Sequence, residues 1–102
     1  MTETPPSNWR DIVTEFRARP FGQHSAGLQT LLDRFRAEPI EGKPFLYMIE
    51  QHRRWALAHF STTRPLTWTV DRDTVFDRIE DAEWHVFRRR WRDRYGFDPE
   101  EA

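Results

Sequence analysis

Cysteine is missing altogether, which removes disulfides, thiolate metal sites and cysteine nucleophiles together. Lysine occurs once, at Lys43, so fifteen of the sixteen basic residues are Arg. Glycine is limited to four positions. Gly22, Gly27 and Gly42 are scattered, and no Gly-rich loop surrounds them to cradle a phosphate. No apolar run reaches the length a bilayer requires. The opening Met-Thr-Glu-Thr-Pro-Pro lacks the basic start and apolar run of a secretory signal. A water-soluble, cytoplasmic chain with no membrane partner is the resulting expectation. An excess of one charge sign is lacking too: 16 basic residues face 17 acidic ones, for a formal net charge of −1. Nucleic-acid binders usually present an uncompensated basic surface, so this balance argues against one.

What the sequence does hold is rings. Five Trp, eight Phe and two Tyr are spread over 102 residues, while Ile, Val and Leu are sparse. One domain is the expectation for a chain this short. Each aromatic buries roughly 150–250 Å², so fifteen exceed what one small core needs. Surplus aromatics, like Arg, are favoured at protein–protein contacts.

The apolar spacing predicts an α+β fold. Trp9, Ile12, Val13 and Phe16 recur at i, i+3, i+4, i+7, the stripe of an amphipathic helix that Pro20 must end. Ser25 is suited to cap a second helix with the stripe Leu28, Leu31, Leu32, Phe35, closed off by Pro39 and Gly42. Phe45–Ile49, Trp55–Phe60 and Leu66–Val70 read as strands, the last with Leu66, Trp68 and Val70 inward. Short connections make an antiparallel meander the simplest topology. A long final helix carries the stripe Ile79, Ala82, Val86, Arg90 beside a second one, Trp84, Phe87, Trp91, Tyr95. Gly96 is placed to end it and Pro99 lies beyond. The expected organisation is two N-terminal helices, a three-stranded antiparallel meander and a long C-terminal helix packed on it. It fills one domain over 7–97, with flexible tails at 1–6 and 98–102.

Candidates for chemistry are few. No two of His24, His52, His59 and His85 have the i, i+4 helical spacing of a metalloprotease. His24-Ser25 suggests a nucleophile pair, but adjacent side chains rarely point at each other, and Ser25 is better explained as a cap. Arg88-Arg89-Arg90-Trp91-Arg92-Asp93-Arg94 resembles a nucleic-acid stripe. On a helix these residues spread around the cylinder beside Glu80, Asp81, Glu83 and Asp93, and Arg suits a helix C-terminus. Glu83 beside Trp84 is the one carboxylate marked by an apolar neighbour. No catalytic, cofactor-binding or metal-ligating residue is assigned.

Two segments together resemble a known family. One is Pro20-Phe21-Gly22-Gln23-His24-Ser25 with Leu28-Gln29, Leu31-Leu32, Phe35-Arg36, Pro39 and Gly42-Lys43. The other is Ala82-Glu83-Trp84-His85-Val86-Phe87-Arg88-Arg89-Arg90-Trp91. Their order and separation are similar to the small (alpha) subunit of N,N-dimethylformamidase, over about residues 20–95. The resemblance implies a small subunit that packs on a much larger amide-hydrolase subunit in a hetero-oligomer. The large subunit carries a mononuclear iron held by Tyr and Glu, and hydrolyses the amide to a carboxylate and an amine. No iron ligand is implied on this chain. Candidate partner-interface residues are Phe21, His24, Trp84, Phe87, Arg88, Trp91 and Tyr95. A free-standing adaptor of the same fold is the alternative expectation, and a small nucleic-acid-binding protein a third.

Overall fold

Proline and glycine set the helix boundaries much as the sequence demands. In this computed structural model, which describes residues 3–100, helix α1 spans Trp9–Ala18 and α2 spans Ala26–Ala37. Each stops one residue short of a pre-proline position. Arg19 (φ −146°, ψ 89°) and Glu38 (φ −64°, ψ 151°) both leave the helical region, as the residue before Pro must. The Ser25 hydroxyl caps α2 by accepting from the Leu28 N–H at 3.3 Å. Asn8 precedes α1 without a side-chain cap bond. The third helix, α3, covers Ile79–Tyr95. Gly96, at φ 85°, ends it with its N–H on the Arg92 carbonyl at 2.8 Å, the left-handed cap that glycine adopts without a Cβ penalty.

Three antiparallel strands lie between α2 and α3: β1 (Pro44–Glu50), β2 (Arg54–Phe60) and β3 (Trp68–Phe76), in the order β1-β2-β3. The α+β architecture and the meander are as expected, but the third strand is not. Predicted over 66–70, it begins at Trp68 and runs on to Phe76. Thr67 belongs to the turn, its N–H bonded to the Ser61 hydroxyl and its carbonyl to the Ser61 N–H. Asp71-Arg72-Asp73 looks like a loop in sequence, yet an edge strand tolerates polar residues. The register jumps there, from Leu57↔Asp71 to Ala56↔Val75. Asp71 stabilises the bulge by accepting from the Asp73 N–H at 3.0 Å and the Thr74 hydroxyl at 2.7 Å. These bonds hold the Asp71 carboxyl below the usual carboxylate range, the Thr74 hydroxyl contributing most. Trp68, expected inward, points out and is 57% exposed.

The described residues fall into two compact units. One holds residues 3–38 and 87–100, and the other is Pro39–Val86. In the first, Ile12, Val13, Phe16, Leu28, Leu31, Phe35, Phe87, Trp91 and Tyr95 are buried. Trp91 and Tyr95 lie 4.5 Å apart, Phe16 stacks on Phe87 at 4.2 Å, and Trp9 meets Trp91 at 5.6 Å. In the second, Trp55, Ala56, Leu57 and Ala58 of the central strand are buried with Ala82 and Val86 of α3. Phe45 stacks on Phe60 at 4.4 Å, and Phe76 lies 5.1 Å from His85. The segments expected as tails are described only for 3–6 and 98–100. Within them Glu3 is ion-paired with Arg94, and Asp98 with Arg88.

Candidate interface surfaces

The residues that sequence reasoning marked for an interface occupy unlike environments. Phe87, Trp91 and Tyr95 are interior, Trp91 with 0% exposure. The helical period puts them one above the other, and α1 and α2 supply Trp9, Phe16 and Phe35 as neighbours. Burial raises the Tyr95 phenol above its ordinary pKa, because the phenolate would lose its water. These three rings serve the chain's own core.

Arg88 is half-buried and its guanidinium is committed: Nε donates to the Asp98 carboxylate at 3.0 Å, a second nitrogen bonds the same carboxylate, and Nη1 reaches Glu100 at 2.9 Å. Glu100 also takes Arg17 at 2.9 Å. The Arg88 guanidinium holds the Asp98 carboxyl below the ordinary carboxylate range. Arg94 forks between Glu3 at 2.9 Å and Glu38 at 3.1 Å, and Arg89 pairs with Asp93 at 3.5 Å. The Arg-rich run is thus largely neutralised by carboxylates of its own chain, and its resemblance to a nucleic-acid stripe does not extend to geometry.

His24 and Ser25 are positioned separately rather than as a pair. The His24 ring nitrogen Nε2 lies 3.1 Å from the Arg19 carbonyl, and the ring sits 6.4 Å from that of Phe16. Ser25 instead engages Glu15, ten residues upstream: its hydroxyl donates to one carboxylate oxygen and its N–H to the other at 2.7 Å. Both bonds lower the Glu15 pKa, the hydroxyl first. This clamp joins α1 to the start of α2, and no spacing rule reveals it. The loop it frames turns at Gly22 (φ 97°) and holds Phe21 out, 51% exposed. Trp84, in the first half of α3, is half-buried.

The sheet carries apolar surface that the sequence did not single out. Pairing puts Phe45, Tyr47, Ala56, Ala58, Phe60, Trp68, Val70 and Val75 on one face. Trp68, Tyr47 and Val75 of that set are exposed, as are Met48 and Ile49 of β1. The signal available beforehand was β1 itself, five consecutive apolar residues in a strand that ends a three-stranded order.

Among the described residues no three His, Asp or Glu side chains group into a set that could hold a metal ion. No helix among them is long and apolar enough to cross a membrane. No curated protein matches the chain. The model of one family, described as the N,N-dimethylformamidase alpha subunit, matches residues 6–100. That span takes in both units, the aromatic core, the Glu15–Ser25 clamp and the whole sheet, so this chain belongs to the N,N-dimethylformamidase alpha subunit family.

Proposed function

We propose that the chain is the non-catalytic small subunit of a large iron-dependent amide hydrolase of the dimethylformamidase type, working in the cytoplasm as part of a hetero-oligomer. Family membership across residues 6–100 carries the reading. Large apolar side chains left at the surface support it, because a small protein with rings outside its core gains by covering them. Phe21 and Trp68 are the most exposed of these. Each offers a broad ring to a pocket on a partner, as interface hot spots do. In this reading the amide is cleaved on the large subunit, where the iron also resides.

Co-expression with a candidate large subunit of the dimethylformamidase type from the same genome tests the proposal. The two chains are expected to purify together, with amide hydrolysis present in the complex and absent from this chain alone. Phe21→Asp and Trp68→Asp should each reduce co-purification while leaving the circular dichroism of the isolated chain unchanged. A large subunit that purifies alone and hydrolyses its amide at full rate without this chain would overturn the reading, as would turnover by this chain unaided.

A further inference from the structure

Helices α1 and α2 frame a cavity of about 240 Å³. We infer that this cavity binds a small monocarboxylate, its apolar body on the cavity floor and its carboxylate at Arg34. The inference goes beyond the proposed pairing with a large subunit and does not rest on it.

The lining comes from one stripe on each helix. Gly27, Thr30, Leu31 and Arg34 recur at i, i+3, i+4, i+7 along α2, and the cap residue Asn8 stands four before Ile12 on α1, so each set shares a face. Ile12 and Leu31 are buried, at 3% and 2% exposure, and with Pro6 they make the apolar floor. Gly27 keeps the space open. Glycine is the poorest helix former after proline, and Gly27 stands in the first turn of α2 without a positive φ that would call for it. Packing does not call for it either. A Cβ there would meet Ile12 Cδ1 at 3.4 Å and Asn8 Nδ2 at 3.7 Å, ordinary van der Waals distances. What a side chain at position 27 would occupy is the cavity itself.

The polar rim sets the sign of the ligand. No carboxylate lines the cavity, and its one charged lining residue is Arg34. The nearby Asp33 and Glu38 are taken by Arg36 and Arg94, and no ion pair engages the exposed Arg34 among the described residues. Asn8 heads α1 without a side-chain cap bond, although asparagine is among the best capping residues. Its amide nitrogen lies beside Gly27 instead. The Thr30 hydroxyl is spent on the Ala26 carbonyl at 2.9 Å, so the donors on offer are the Asn8 amide and the Arg34 guanidinium. A carboxylate accepts from both kinds of donor, and a guanidinium fork matches its two oxygens. The floor asks for an apolar body, and volume bounds its size. A cavity of about 150 Å³ accommodates benzene, so this one has room for a single ring carrying its carboxylate.

Benzoate is the probe, titrated at constant ionic strength into the purified full-length chain and followed in amide NMR spectra. Saturable shifts are expected at the backbone amides of Gly27, Leu31 and Arg34 and at the Asn8 side chain. Benzyl alcohol, a similar ring without the charge, should bind more weakly by about tenfold, and Arg34→Gln should raise the benzoate Kd by about the same factor, the worth of a charge-assisted bond. Gly27→Leu fills the cavity from a position with room for its Cβ. It should abolish the shifts while the circular dichroism stays native. Should that variant fail to fold, Arg34→Gln, an exposed substitution, decides alone. No saturable shift at these amides, equal Kd values for benzoate and benzyl alcohol, or a Kd unmoved by Arg34→Gln overturns the inference. So do shifts at the cavity that arise only when the large subunit is added, since a polypeptide group is then the occupant. Co-purification of the two chains is scored separately, so either reading can fail without the other.

Discussion

Trp91 carries the largest single stake in the chain. It is wholly buried, it touches Trp9, Phe87, Tyr95 and Phe97, and its indole N–H has no acceptor among the described residues. Trp91→Ala should cost about 3–5 kcal/mol in denaturant unfolding, the usual cost of emptying a large aromatic site. Trp91→Phe should cost clearly less, because it keeps a ring and removes a donor that is desolvated without a bond. Equal losses for the two would show that the N–H is satisfied. Ser25 matters for a different reason. Ser25→Ala deletes the α2 cap, worth about 1 kcal/mol, and strips Glu15 of one of its two donors. Hydrogen exchange should rise first in the opening turn of α2.

At the scale of elements, the termini of the helices are set by local chemistry, and the cost of changing them can be stated. Gly96 adopts φ 85°, where a Cβ would crowd the following carbonyl oxygen. Gly96→Ala should destabilise the chain by about 1–2 kcal/mol, read as a lower midpoint in denaturant with an unchanged slope. The pre-proline ends at Arg19 and Glu38, the Ser25 cap and the Gly96 stop were all legible in the sequence, because each depends on residues a few positions apart. The length of β3 was not. Its Asp71 bulge is stabilised by the side chain's own bonds to Asp73 and Thr74, and a polar run of that kind reads equally well as a loop.

For the whole molecule, acid should be the sensitive direction. Glu15 and Asp98 both have folded-state pKa values depressed below their unfolded ones, by the Ser25 bonds and by Arg88 respectively. A depressed carboxylate contributes stability that is present above its unfolded pKa and lost as pH falls through the folded one. The melting temperature should therefore hold at neutral pH and fall as the solution is acidified through and below the ordinary carboxylate range. Asp98→Asn should lower stability at neutral pH and flatten that decline, as seen in melts across pH. A variant as acid-sensitive as the native chain would remove Asp98 from the account.

The order of elements, the helix ends and the apolar stripes were decided within the chain's local sequence, because periods of 2 and 3.6 and the constraints of Pro, Gly and Ser act over a few residues. The resemblance to the dimethylformamidase small subunit was legible there too, from two segments in order. Tertiary structure alone decided which rings are spent. Phe87, Trp91 and Tyr95 are buried against α1 and α2, whereas Trp68, paired with Phe60 on an edge strand, is left in water. Periodicity gives a residue its face on an element, but only the packing of distant segments determines whether that face is covered.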